Sequence, residues 1–247
     1  MKRVLSFLVC AALITAGFSS CIIVNFSDQL RRATTGTGDL ERFMFSVGTF
    51  NRIRVEGHCD INYYNDHSNT VSLDVQPNLH KYYVIEVISG ELVVRTKGRI
   101  IPSSGKTPVL TVSVPELNSL NLLGAGTFTA HDTISTDTFT LKLSGAGTGR
   151  ANLDVNRLVV DMSGAGSFRL SGFAEEIDFR LSGAGELDAF ALDARDAKVG
   201  FSGAGTVRVG NSENLTINAS GMGSVEYKGS PRINLNNSGM VRVRRID

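Results

Sequence analysis

Leu158-Val159-Val160-Asp161-Met162-Ser163-Gly164-Ala165-Gly166-Ser167-Phe168-Arg169-Leu170 is the stretch that decides the fold of this chain. Leu158, Val160 and Met162 stand at every second position before the glycines, and Phe168 and Leu170 do so after them. A period of two gives a strand with one buried face. Glycine at the corner between the strands permits positive φ and close backbone approach. The stretch therefore reads as strand, tight corner, strand. It recurs along the chain. Ser-Gly-Ala-Gly stands at Ser144–Gly147, Ser163–Gly166, Ser182–Gly185 and Ser202–Gly205, with variants at Leu123–Gly126 and Ser220–Gly223 and a degraded copy at Ser238-Gly239-Met240. The structural corners are thus Gly124, Gly126, Gly145, Gly147, Gly164, Gly166, Gly183, Gly185, Gly203, Gly205, Gly221, Gly223 and Gly239. The first glycines of successive copies are 21, 19, 19, 20, 18 and 18 residues apart.

A unit of this kind cannot bury its own apolar face, but stacked neighbours can. The expected fold is all-β: a right-handed parallel β-helix, a solenoid with coils of about 18–21 residues. Its outward columns fit in-register stacking. Arg169, Asp188, Arg208, Glu226 and Arg242 form a candidate structural charge ladder, with Arg150 before them, and its sign alternates from Arg169 onward. Lys142, Asp161 and Arg180 form a second column, Asp178 and Lys198 a third, and Asn218 and Asn236 a short amide ladder. Opposite charges on facing strands attract, and like charges repel.

Upstream, residues 46–115 are strand-rich but lack the glycine repeat. They are expected as less regular N-terminal coils of the same stack, or alternatively as a small separate β subdomain. Residues 116–247 are the regular glycine-repeat coils. Gly98–Thr107 reads as an exposed loop. Further upstream, Lys2 and Arg3 precede an apolar run from Val4 to Phe18, too short to span a bilayer. Phe18-Ser19-Ser20-Cys21 then resembles a lipobox. Residues 1–20 are read as a lipoprotein signal peptide, Cys21 as the lipidation site, and residues 21–45 as lipidated cysteine and flexible tether. Cleavage near Cys21 without lipidation is the alternative. With Cys10 removed and Cys21 lipidated, Cys59 stands alone and no intramolecular disulfide is available.

Composition narrows the function. Without Lys2 and Arg3, 23 basic residues face 24 acidic ones, which argues against a nucleic-acid partner held by bulk charge. Only four histidines occur, with no zinc-type spacing, so no metal and no cofactor is expected. Asp193 and Asp196 flank Arg195 in the longest third side of a repeat. This is the best candidate for a carboxylate site, and a solvated loop is the simpler reading. Tyr63, Tyr64, Tyr82 and Tyr83 are the candidate binding residues, with one ring of each adjacent pair expected to face outward.

Phe50-Asn51-Arg52-Ile53-Arg54-Val55-Glu56-Gly57 and the serial Ser-Gly-Ala-Gly copies together resemble the head GIN domain family of putative auto-transporter adhesins, over roughly residues 46–240. The resemblance implies a β-helical, secreted or lipid-anchored envelope protein of a Gram-negative bacterium. It supplies no catalytic residue. No C-terminal translocator barrel is recognisable, so a self-sufficient autotransporter is not expected. The expected function is non-catalytic: an outer-membrane lipoprotein, facing the periplasm or the surface, that displays the β-helix as an adhesin-like module for a glycan or protein. A periplasmic structural or assembly protein is the alternative, and a polysaccharide-active enzyme a third reading. Oligomeric state is left open: a polar cap on the last coil favours a monomer, an apolar one an oligomer.

Overall fold

The computed structural model describes residues 33–247. The expected leader, Cys21 and the first part of the tether lie outside the described residues. The early strands are β1 (Thr34–Thr35), β2 (Glu41–Phe45), β3 (Arg52–Val55), β4 (Asp60–Asn65) and β5 (Thr70–Val75). A single helical turn, α1 (Pro77–His80), precedes β6 (Tyr83–Ile88), β7 (Glu91–Thr96), β8 (Ile100–Ile101) and β9 (Val109–Val114). Next come β10 (Ser119–Leu122), β11 (Ala125–Ala130), β12 (Ile134–Leu143) and the long strands β13 (Ala146–Met162), β14 (Ala165–Leu181) and β15 (Ala184–Phe201). The chain finishes with β16 (Ala204–Val209), β17 (Asn214–Ala219), β18 (Met222–Tyr227), β19 (Arg232–Asn237) and β20 (Met240–Arg245).

From β10 to β20 every pairing is parallel and joins one coil to the next. Ile53, Leu120, Leu141, Val160, Phe179, Val199, Ile217 and Leu235 form one inward column in register. All but the last of these are buried. The apolar alternation thus becomes a continuous core that no single coil could close.

The corners are where register is enforced. The amide of Ala165 donates to the carbonyl of Gly145, and that of Ala184 to the carbonyl of Gly164, each at 3.0 Å. The same carbonyls exclude a side chain: a β-carbon on Gly164 would lie 2.0 Å from Gly145 O, and one on Gly183 would lie 1.9 Å from Gly164 O. Glycine is required there by close approach. Gly57 belongs to the same series, since a β-carbon on Gly124 would lie 1.9 Å from its carbonyl oxygen. The coil of β3 and β4 therefore already carries the corner, although its sequence lacks the motif.

The N-terminal part is not a separate subdomain. β10 and β11 stack directly on β3 and β4, and on their far side β3 pairs with β7 and β4 with β9. The segment between β4 and β10 thus folds back over the first coil. Antiparallel pairings then close this end: β6 on β7, β5 on β9, and β2 on β5. One sheet of 18 strands and one apolar core run through both parts.

One expectation is corrected. The tether does not extend to residue 45. β1 pairs with β8, and β2 forms the antiparallel edge beside β5, with Phe43 stacked on His80 at 3.9 Å. The alternating Phe43 and Phe45 give this segment a face to pack. Gly98–Thr107 is exposed or half-buried throughout, as expected, and is tied to the N-terminal segment. It contains β8, and the buried Gln76 side chain accepts from the Ser103 amide at 2.9 Å and donates to Gly38 O at 3.0 Å.

Candidate functional site

The four tyrosines separate by strand face. Tyr63 is fully buried, its hydroxyl near Val114 O, and Tyr83 is buried with its hydroxyl donating to His58 O at 3.1 Å. Burial pushes the Tyr63 phenol up to about 12 and raises that of Tyr83 as well. Both are core residues, which corrects their expected part in binding. Tyr64 faces out and stacks flat on His131 at 4.6 Å. Half-buried Tyr82 accepts from the Thr34 hydroxyl at 3.1 Å. Tyr64 and Tyr82 thus have different neighbours, with Tyr82 packed against the core, and the four residues form no single aromatic patch.

The charge ladder exists, with one member corrected. Thr129, Arg150, Arg169, Asp188, Arg208 and Glu226 stand in register, and the residue facing Glu226 is Arg244; Arg242 faces Ser224. In the last copy Met240 aligns with Met222 and Val241 with Gly223, so counting from the shortened motif misplaces the rung by two residues. Arg169 Nε lies 3.3 Å from Asp188, and Arg208 Nε lies 3.0 Å from Glu226. Glu226 is only 6% exposed and also accepts from Arg244 Nε at 3.0 Å. The Arg244 and Arg208 guanidiniums hold its carboxyl below the usual range, against the opposing effect of burial. In the second column Lys142, Asp161 and Arg180 face one another, and Asn218 faces Asn236.

The sites considered for chemistry are engaged in structure. Arg195 is paired with Asp196 at 2.8 Å and with Glu175, while Asp193 accepts from Asn211 at 2.9 Å. Cys59 is buried, which pushes its thiol up to about 12. Asp60 accepts from the Thr127 amide at 2.8 Å. Among the described residues, no three His, Cys, Asp or Glu side chains come together in a metal-holding arrangement.

Two features stand out on the surface. The first is the C-terminal end, where Leu235 is 48% exposed and Met240 73%, beside a β19 exposed along its whole length. The same end exposes Arg232, Asn234, Asn236, Arg242, Arg244 and Arg245, so it is mixed and neither wholly apolar nor wholly polar. The second is a shallow notch of about 320 Å³ on the flank, lined by Thr127, Thr148, Ser167, Arg150 and Arg169 among others. Sequence reasoning did not single out this notch. The signal was present: Gly149 occupies an inward position filled by Phe128 and Phe168 on the neighbouring coils, and Arg150 directly faces Arg169.

Comparison with known proteins fits this architecture. No curated protein matches the chain in sequence. A crystal structure of a putative adhesin from Bacteroides fragilis is similar in fold, with a TM-score of 0.81 at 23% identity, covering 86% of this chain and 99% of that one. A putative lipid binding protein from Parabacteroides distasonis is similar at a TM-score of 0.68 and 22% identity, over 87% of this chain and 100% of that one. A putative adhesin from Parabacteroides merdae has a TM-score of 0.63 at 23% identity, with coverage of 87% and 100%. The family model described as putative auto-transporter adhesin, head GIN domain, matches residues 49–231, from the strand before the first corner to the start of the last coil, and the chain belongs to that family.

Proposed function

We propose that this chain is a non-catalytic lipoprotein of the cell envelope that displays its solenoid as an adhesin-like module for a glycan or protein ligand. Cys21 carries the lipid, and the residues between it and β1 let the solenoid stand off the outer membrane of a Gram-negative cell. The observation that carries this reading is the placement of polar groups. They stand in outward columns along a rigid in-register stack, open to a large partner, and the candidate catalytic carboxylates are occupied by Arg195, Asn211 and Asn214. Membership of a family described as adhesins supports it. The exposed apolar side chains Leu235 and Met240 at the far end favour a second reading, in which that end joins the protein to an envelope assembly.

Fractionation tests the anchor. The native chain is expected in the outer-membrane fraction, and a Cys21→Ala chain is expected to lose the lipid mass and the outer-membrane location. An unlipidated, soluble native chain contradicts the proposal.

A further inference from the structure

The charge ladder is compensated everywhere but at its start. Asp188 and Glu226 each hold an arginine, and Arg244 closes the last rung on Glu226. Arg150 and Arg169, by contrast, face each other on adjacent parallel strands, about 4.8 Å apart. Like charges so placed repel. Arg150 has no ion-pair partner among the described residues, and Arg169 reaches Asp188 through Nε alone, leaving both of its terminal nitrogens free. Substituting one carboxylate would relieve the repulsion, as the later rungs do, yet this rung keeps two guanidiniums.

The surroundings match that excess of positive charge. Thr127, Thr148 and Ser167 stand in register two residues before Thr129, Arg150 and Arg169, and put a column of hydroxyls beside the arginines. Thr127 and Thr148 touch at 3.4 Å. On the other side of Arg150, Asn152 donates to Thr133 at 2.8 Å and accepts from Ser171 at 3.0 Å. The floor at Gly149 is bare backbone because the Phe168 ring of the next coil takes the place of a side chain: a β-carbon there would lie 2.4 Å from that ring. Asp60 accepts from the Thr127 amide, and Asp188 accepts from Arg169 Nε.

We infer that this notch binds an acidic sugar unit of a polysaccharide, with its carboxylate or sulfate between Arg150 and Arg169. The guanidinium fork matches both anions in geometry. The hydroxyls of Thr127, Thr148 and Ser167 that line the notch suit ring hydroxyls. The volume of about 320 Å³ sits at the small end for ligand sites and is open along the stack, which suits an internal unit of a chain. A lipid headgroup is disfavoured because the apolar side chains at the notch, Phe128 and Phe168, are buried and offer nothing to insert between acyl chains. The assignment rests on reading the solenoid as a binding module, and names its ligand class.

Binding of the mature chain, kept in detergent, to immobilised polygalacturonate, dextran sulfate and neutral dextran tests it. The acidic polymers are expected to bind in a salt-sensitive manner and neutral dextran not to bind. Arg150→Ala should weaken binding about tenfold or more, Arg150→Lys less, and Lys81→Ala, a control far along the sequence, not at all. Equal binding to neutral dextran would overturn the inference, as would acidic-polymer binding indifferent to both Arg150→Ala and Arg169→Ala. Stronger competition by glycerol 3-phosphate than by galacturonate would assign the notch to a headgroup and overturn it too. Such failures leave the binding-module reading standing, because that reading is tested by location on the cell.

Discussion

A β-carbon at residue 164 would meet the carbonyl oxygen of Gly145 at 2.0 Å, inside a row of corners that all hydrogen-bond to the next. Backbone cannot yield there without breaking register on both sides. Gly164→Ala is therefore expected to cost about 3 kcal/mol or more, at the upper end for overpacking. Gly48→Ala, with open space around it and no positive φ, should stay within about 0.5 kcal/mol. Urea denaturation of the two variants checks the contrast. Glu226 makes the second residue-scale argument. Its folded carboxyl titrates below the usual range because Arg244 and Arg208 donate to it. Such a group stabilises the fold above its unfolded pKa, and that stability is lost as pH falls through the lower folded pKa. Glu226→Gln should cost about 1–2 kcal/mol at neutral pH, since the arginines it strands are partly exposed. The gap from the native chain should close in acid, once the native carboxyl is protonated. A gap unchanged in acid would contradict the pairing.

At the scale of the element, burial along one inward column grades the coils. Phe179 lies in the middle of the column and is fully buried; Leu235 lies at its end and is half exposed. Phe179→Ala should cost about 3–5 kcal/mol, whereas Leu235→Ala should cost under about 1 kcal/mol. Amide exchange should find β19 and β20 opening first. The middle coils were readable from sequence because each repeats the same three inward positions around the same glycines, so Leu158, Val160 and Met162 fixed the faces of their neighbours as well. The ends were not, for identifiable reasons. Gly57 acts as a corner without the motif, because stacking demands only the missing side chain. The last copy substitutes Val241 for the second glycine, which displaced the ladder count from Arg244 to Arg242. β2 contacts β5, some thirty residues onward, and only long-range antiparallel pairing turns an apparent tether into an edge strand. Of the candidate site, the alternation made legible that one ring of each tyrosine pair turns inward, but whether the other two meet depends on the fold-back of residues 66–114, which no local period encodes.

On the scale of the whole molecule, the solenoid has two unlike ends and a long flank. The N-terminal end is closed by antiparallel strands. The far end shows apolar side chains at Ile233, Leu235 and Met240. Between them the outward columns run as ladders, mostly neutralised, with the Arg150–Arg169 rung as the exception. On the proposed reading the protein is held at its N-terminal side and presents its flank to a partner. Protease shaving of intact cells carrying a C-terminally tagged chain, with a Cys21→Ala chain as control, tests whether the solenoid is displayed. Digestion of the native chain from outside, with the control absent from the surface, is the result predicted here. Protection of the native chain until the outer membrane is opened would contradict it and place the solenoid, with its open end, among periplasmic partners.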